Sequence, residues 1–162
     1  MKKEIRIAML LAFSIVLNIL ESFIPIFNVP GIRIGLANIP ILVTLYIYGF
    51  KDALYVSILR VFVVGILRTG LFSTTFYFSL FGSIFSIISM YLIKKLKLSI
   101  IGVSIFGSFM HNIGQLVAAF IFINTNLLYY LPFLTILSII SGIFIGLISK
   151  ETIKILKLQN FT

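Results

Sequence analysis

The side chains able to do chemistry are few, and they lie within apolar runs. The 162 residues include four acidic groups, one histidine and no cysteine. His111 and Gln115 stand four positions apart, so a helix puts them on one face, with Asn112 beside His111. Asn18 and Glu21 are three apart and share a face in the same way. Asn38 opens one apolar segment and Arg60 lies inside another. Amide, imidazole and guanidinium groups in such settings hydrogen-bond either a guest or one another. Redox thiol chemistry, disulfides and Cys-ligated metals are excluded by the missing cysteines. The carboxylates Glu4, Glu21, Asp52 and Glu151 are spread along the chain, which argues against a zinc, di-iron or magnesium centre for hydrolysis or prenyl transfer. No G-x-x-x-x-G-K-[ST] loop is present to bind ATP. The expectation is a chain with no metal, no cofactor and no catalysis of its own.

The elements that carry these groups are membrane helices. Hydrophobic residues make up 60% of the chain and charged ones 10%, with a mean hydropathy of +1.21. That is far more apolar than a soluble monomer, in which about 25% of residues are charged. A helix needs about 20 apolar residues to cross about 30 Å of hydrocarbon. Six segments qualify or come close: residues 5–24, 38–50, 53–67, 76–93, 99–123 and 127–148. The runs are continuous rather than alternating, which excludes a membrane barrel. The expected fold is an all-α integral membrane protein, a six-helix transmembrane bundle in one domain.

The basic residues set the orientation. With the N-terminus in the cytoplasm and six crossings, the inside holds Lys2, Lys3, Arg6, Lys51, Lys94, Lys95, Lys97, Lys150, Lys154 and Lys157. The outside holds Arg33 and Arg68. Both termini then face the cytoplasm. The net charge of +9 becomes a set of anchors for anionic lipid rather than a nucleic-acid surface. A signal peptide fits the first segment less well. Its apolar run exceeds the usual 7–15 residues, and Phe23-Ile24-Pro25-Ile26 stands where an A-x-A site would follow.

An ionised side chain at the bilayer centre costs about 2.5–3.5 kcal/mol on the insertion scale, so such groups turn inward and find partners. Most of the polar set falls in the outer half of the bundle. Two readings stand side by side. In one, Asn18, Glu21, Asn38, Arg60, His111, Asn112 and Gln115 surround a ligand pocket, covered by the apolar loop 25–37. In the other, they hydrogen-bond the helices together, the loop is a tight connector, and Glu21 or loop carbonyls satisfy Arg60. Three adjacent polar residues at His111, Asn112 and Gln115 exceed what helix packing needs and favour the ligand. The cost of an unpaired buried cation favours the structural role for Arg60. Glu21 fits counter-ion, latch or ligand contact equally. Ala8 and Ala12 form a small strip on the first helix, where another helix could approach closely.

Several motifs carry a resemblance: Glu21-Ser22, Pro30-Gly31, Gly35-Leu36-Ala37-Asn38, Arg60, the run from Gly102 to Gly107, and His111-Asn112-Ile113-Gly114-Gln115. Together they resemble the bacterial Gx transporter family, often labelled heptaprenyl diphosphate synthase component I. The GLAN and HN-x-GQ elements are its most specific parts. The resemblance implies a bundle similar to the substrate-binding S-components of energy-coupling-factor transporters, in the bacterial cytoplasmic membrane. It implies a small-molecule ligand, a loop over an outward pocket, ATPases on other chains, and docking of Ala8 and Ala12 on a coupling subunit. The alternative is a non-catalytic membrane accessory of prenyl diphosphate or quinone metabolism, or of a flavin-linked or quinone-linked electron-transfer system. Proton-coupled transport through Glu21 and His111 is the third option, and no further acidic relay accompanies it.

Overall fold

The computed structural model describes residues 3–21, 23, 35–123, 129 and 131–158. The described residues form six α-helices and no strand. These are α1 (Lys3–Glu21), α2 (Asn38–Ile47), α3 (Phe50–Val64), α4 (Thr74–Lys95), α5 (Ile100–Ile123) and α6 (Leu131–Leu158), with a π-helical turn, Gly65–Thr69, extending α3. Helices α4, α5 and α6 are each long and apolar enough to cross a membrane. With its length at 1.5 Å per residue, α2 covers about 15 Å and α3 about 22 Å. Most of the loop expected over the pocket, including Pro30, Gly31 and Arg33, lies outside the described residues.

Several boundaries differ from the sequence expectation, α4 for example running from Thr74 to Lys95 rather than over 76–93. The second and third helices meet at Gly49, whose φ of +99° is open to glycine and strained for other residues. Phe50 and Lys51 therefore belong to α3. At its far end α3 gives way to the π turn at Gly65, before Leu67. Helix α6 continues ten residues past Ile148, from Ser149 to Leu158. The apolar run ends there, but the helical period does not. Ser149 and Ile153 stay buried, while Lys150 and Lys154 are exposed.

A helix that is apolar all round lies in a core or in a membrane. Helix α2 is that element: every residue from Asn38 to Leu45 is buried. It packs against α1, α3, α4 and α6. Ile41, Leu42 and Leu45 meet Val56 of α3, Ile87 and Met90 of α4, Val103 of α5 and Ile145 of α6 in one core. Helices α4, α5 and α6 pack consecutively and antiparallel, so close that glycine is needed at the crossings. A Cβ on Gly114 would stand 2.6 Å from the carbonyl oxygen of Phe81, and one on Gly142 would stand 2.5 Å from the Cα of Ile105.

The outside of the bundle is apolar. Ile5, Met9, Phe13, Val16 and Leu20 line the exposed face of α1, and Ile136, Ile140 and Phe144 that of α6. Soluble monomers rarely expose contiguous faces of this kind. The chain is a membrane protein.

Lysines gather at one end. Lys3 Nζ lies 2.8 Å from Asp52, and that hydrogen bond raises the Lys3 pKa above its usual value. A raised lysine pKa supports the folded state up to the unfolded pKa and is lost only above the folded one. The pair therefore holds through neutral pH and fails in strong alkali. Lys95 stacks over Tyr91, with Nζ 4.5 Å from the ring centroid. Lys94 instead turns inward and donates from Nζ to the Leu45 carbonyl at 2.7 Å. This satisfies an end-of-helix carbonyl of α2 and complements its dipole. Lys94→Met is expected to cost about 1 kcal/mol, read as a lower unfolding midpoint in detergent. An unchanged midpoint would remove the capping role.

Candidate functional site

Helix α3 buries Ala53, Val56, Ser57, Arg60, Val61 and Val64, a helical stripe that faces inward. Arg60 lies on this stripe and is 2% exposed. It is ten residues into α3, about 15 Å from the lysine end. Its guanidinium reaches two neighbouring helices. Nη1 donates to Asn38 Oδ1 at 3.3 Å and Nη2 to Ser83 Oγ at 2.5 Å. Asn38 is the first residue of α2, and Ser83 lies on α4. An arginine keeps its charge in any environment a protein offers. The bundle therefore holds a permanent cation at its heart.

The cavity beside Arg60 is lined by Asn18, Glu21, Asn38 and His111, together with Gly35, Ala37 and Ser79. Its volume, about 10 Å³, gives room for one water. Asn38 Nδ2 is buried and has no hydrogen-bond acceptor among the described residues. The Arg60 contact holds Oδ1, so the free amide protons supply further donor capacity at the cavity. Gly82 lets the imidazole lie against α4. A Cβ there would come within 2.9 Å of His111 Cε1.

The segment Gly35–Ala37 closes the cavity next to α1. Ser14 Oγ donates to the Ala37 carbonyl at 2.8 Å, and the Gly35 amide donates to Glu21 Oε1. Gly35 holds a φ of +90°, a conformation that suits glycine. Thus Glu21 sits in the cavity lining and also fastens the chain entering α2. Pro40, in the first turn of α2, needs no N–H there.

Of the residues singled out from sequence, Asn18, Glu21, Asn38, Arg60 and His111 come together at this cavity. Asn112 and Gln115 do not line it. Asn112 faces α6, where its Nδ2 donates to Ser138 Oγ at 2.8 Å and to the Leu134 carbonyl at 3.4 Å. Gln115 is buried one helical turn along α5 from His111. Asn112→Ala is expected to lower thermal stability by about 1–2 kcal/mol through the lost α5–α6 bonds. A variant with wild-type stability would show those bonds to be idle. Ser79 and Ser83 are site residues that sequence reasoning missed, whereas Gly35 belongs to the GLAN element and the covering loop read from sequence. The signal was the spacing of Ser79, Ser83 and Ser86, which puts three small hydroxyls on one face of an apolar helix. Ala8 and Ala12 lie on the exposed side of α1, away from this cavity. Tyr129 is 90% exposed.

The arrangement offers hydrogen-bond donors from Arg60 and Asn38 beside an acceptor from the Glu21 carboxylate. Among the described residues, no group of three or more His, Cys, Asp or Glu side chains could hold a metal ion.

Neither a curated protein nor a solved structure matches the chain. A family model does match, over residues 10–152, and its description is heptaprenyl diphosphate synthase component I. With nearly the whole sequence covered, the chain belongs to the heptaprenyl diphosphate synthase component I family.

Proposed function

We propose that this chain is a membrane-embedded solute-binding subunit for uptake, similar to the S-components of energy-coupling-factor transporters, and that it works with ATPase and coupling subunits on separate chains. In this reading the six helices form a transmembrane bundle with both termini in the cytoplasm, where the lysine-rich end meets anionic lipid. The ligand is a small organic solute held at Arg60, Asn38, Asn18, Glu21 and His111 on the outer side. The observation that carries the reading is the convergence of buried Arg60, hydrogen-bonded to Asn38 and Ser83, with Asn18, Glu21 and His111 around one cavity.

The cavity takes one water as it stands. Admitting a solute requires Gly35–Ala37 to lift from α1, which breaks the contacts to Glu21 and Ser14. Ser14→Ala should therefore speed solute release about 5-fold, the equivalent of one neutral hydrogen bond of about 1 kcal/mol. Unchanged release kinetics would mean that this segment is not the gate.

Ala8 and Ala12 would dock on the coupling subunit, and their exposed position supports that role. Co-purification tests the reading as a whole. With a coupling module co-expressed, Ala8→Leu together with Ala12→Leu should lose the module while the wild type retains it. Retention by the variant would remove the docking proposal.

The family description favours a second reading, a non-catalytic accessory of a prenyl diphosphate synthase. It expects the chain to co-purify with a prenyl synthase subunit, and deletion of its gene to change membrane quinone while leaving solute uptake intact. The scattered carboxylates Glu4, Glu21, Asp52 and Glu151 support a non-catalytic role in either reading.

A further inference from the structure

A second site lies on the lipid-facing surface, away from the Arg60 cavity. Between α4 and α5 runs a groove of about 340 Å³, walled by Phe85, Ile88, Leu92, Phe106 and Met110. The polar side chain in its lining is that of Ser89, whose Oγ donates to the Phe106 carbonyl at 3.4 Å. The walls are open to the side, with Ile88, Leu92 and Phe106 all exposed. The groove therefore faces the acyl region of the bilayer.

One end of the groove meets positive charge. Three residues past Leu92 on the same face of α4 comes Lys95, and the turn to α5 carries Lys97. Both lysines are exposed. Lys94 is turned inward to α2 and is not available there. Helix α5 begins in the same place, with Ser99 Oγ accepting from the Gly102 amide at 3.1 Å, and it adds the positive end of its dipole. An apolar trough that opens sideways and ends at two lysines is complementary to a molecule with a hydrocarbon tail and an acidic head. Basic pockets between membrane helices hold anionic headgroups in this way.

We propose that the groove between α4 and α5 holds one anionic phospholipid of the surrounding bilayer, with an acyl chain along Ile88 and Leu92 and the phosphate at Lys95 and Lys97. The bilayer is the source the geometry favours, because the trough is open along its side to the membrane.

The test uses the full chain, equilibrated with mixed micelles of equal phosphatidylglycerol and phosphatidylcholine, with bound lipid counted by native mass spectrometry. The expected result is one retained phosphatidylglycerol in preference to phosphatidylcholine. Lys95→Gln and Lys97→Gln should each weaken retention about 5-fold, the worth of one lysine near an anionic headgroup. Ile88→Trp, at an exposed wall, should block the groove and lose the lipid at unchanged thermal stability. If that variant fails to fold, the two exposed lysine variants still decide. Equal retention of the two lipids, or retention unaffected by the lysine variants, would overturn the proposal. So would displacement of phosphatidylglycerol by an equal concentration of farnesyl diphosphate, which would reassign the groove to a prenyl diphosphate.

Discussion

Arg60→Met is expected to leave the bundle folded and to weaken solute binding about 10- to 100-fold, the loss of one charged hydrogen-bonding partner. Methionine is flexible and unbranched, and it fills irregular space well. The substitution removes the desolvation cost of a buried cation, which amounts to several kcal/mol. It also strips a donor from Asn38 Oδ1 and Ser83 Oγ, the acceptors in the wild type. The Ser83 hydroxyl can rotate to a carbonyl of its own helix. Glu21 lines the same cavity, so Arg60→Met combined with Glu21→Gln is the matched neutral variant. Arg60→Lys keeps the charge but lacks the rigid fork that spans α2 and α4, and it should also bind poorly. An account in which Arg60 only holds helices together expects the opposite pattern, with Arg60→Met unfolded and Arg60→Lys close to wild type. Thermal unfolding in detergent beside equilibrium binding separates the two.

Gly142→Ala should be among the most destabilising glycine-to-alanine changes at the described residues, together with Gly114→Ala. The added Cβ would meet backbone in both cases, at 2.5 Å from Ile105 Cα and 2.6 Å from the Phe81 oxygen. Backbone cannot swing aside as a side chain can, so α5 must move away from α6 or from α4. Overpacking of this kind costs about 1–3 kcal/mol, and displacing a whole helix puts it at the upper end. The expected readout is a large drop in unfolding midpoint with increased aggregation. Gly102→Ala provides the contrast, because its nearest contacts are side-chain atoms at 3.4 Å and it should be tolerated. Equal midpoints for Gly102→Ala and Gly142→Ala would contradict the close α5–α6 crossing.

Much of this architecture was legible in the sequence because solvent decides it. Continuous apolar runs demand helices in lipid, and a buried arginine stands out against them. The meeting of Asn18, Glu21, Asn38, Arg60 and His111 at one cavity is a matter of tertiary packing, which periodicity on single helices does not encode. Asn112 illustrates the limit. It neighbours His111 in sequence, but a helix turns about 100° per residue, and the side chain bonds to Ser138 of α6 instead. Ser79 and Ser83 were passed over because serine is common in membrane helices and nothing in α4 alone marks an arginine partner. The extension of α6 to Leu158 was hidden by the end of the apolar run, although Ser149 and Ile153 continue the buried stripe at four-residue spacing. The boundary at Gly49 depends on a left-handed backbone turn that two merging apolar segments conceal.

In the proposed function the cluster around Arg60 recognises a guest. Mass spectrometry of the gently solubilised wild-type protein, beside the Arg60→Met and Glu21→Gln double variant, tests it most directly. The account predicts a small organic molecule released on denaturation of the wild type and missing from the equally folded variant. The same small molecules recovered from both proteins, or none from either, would contradict it.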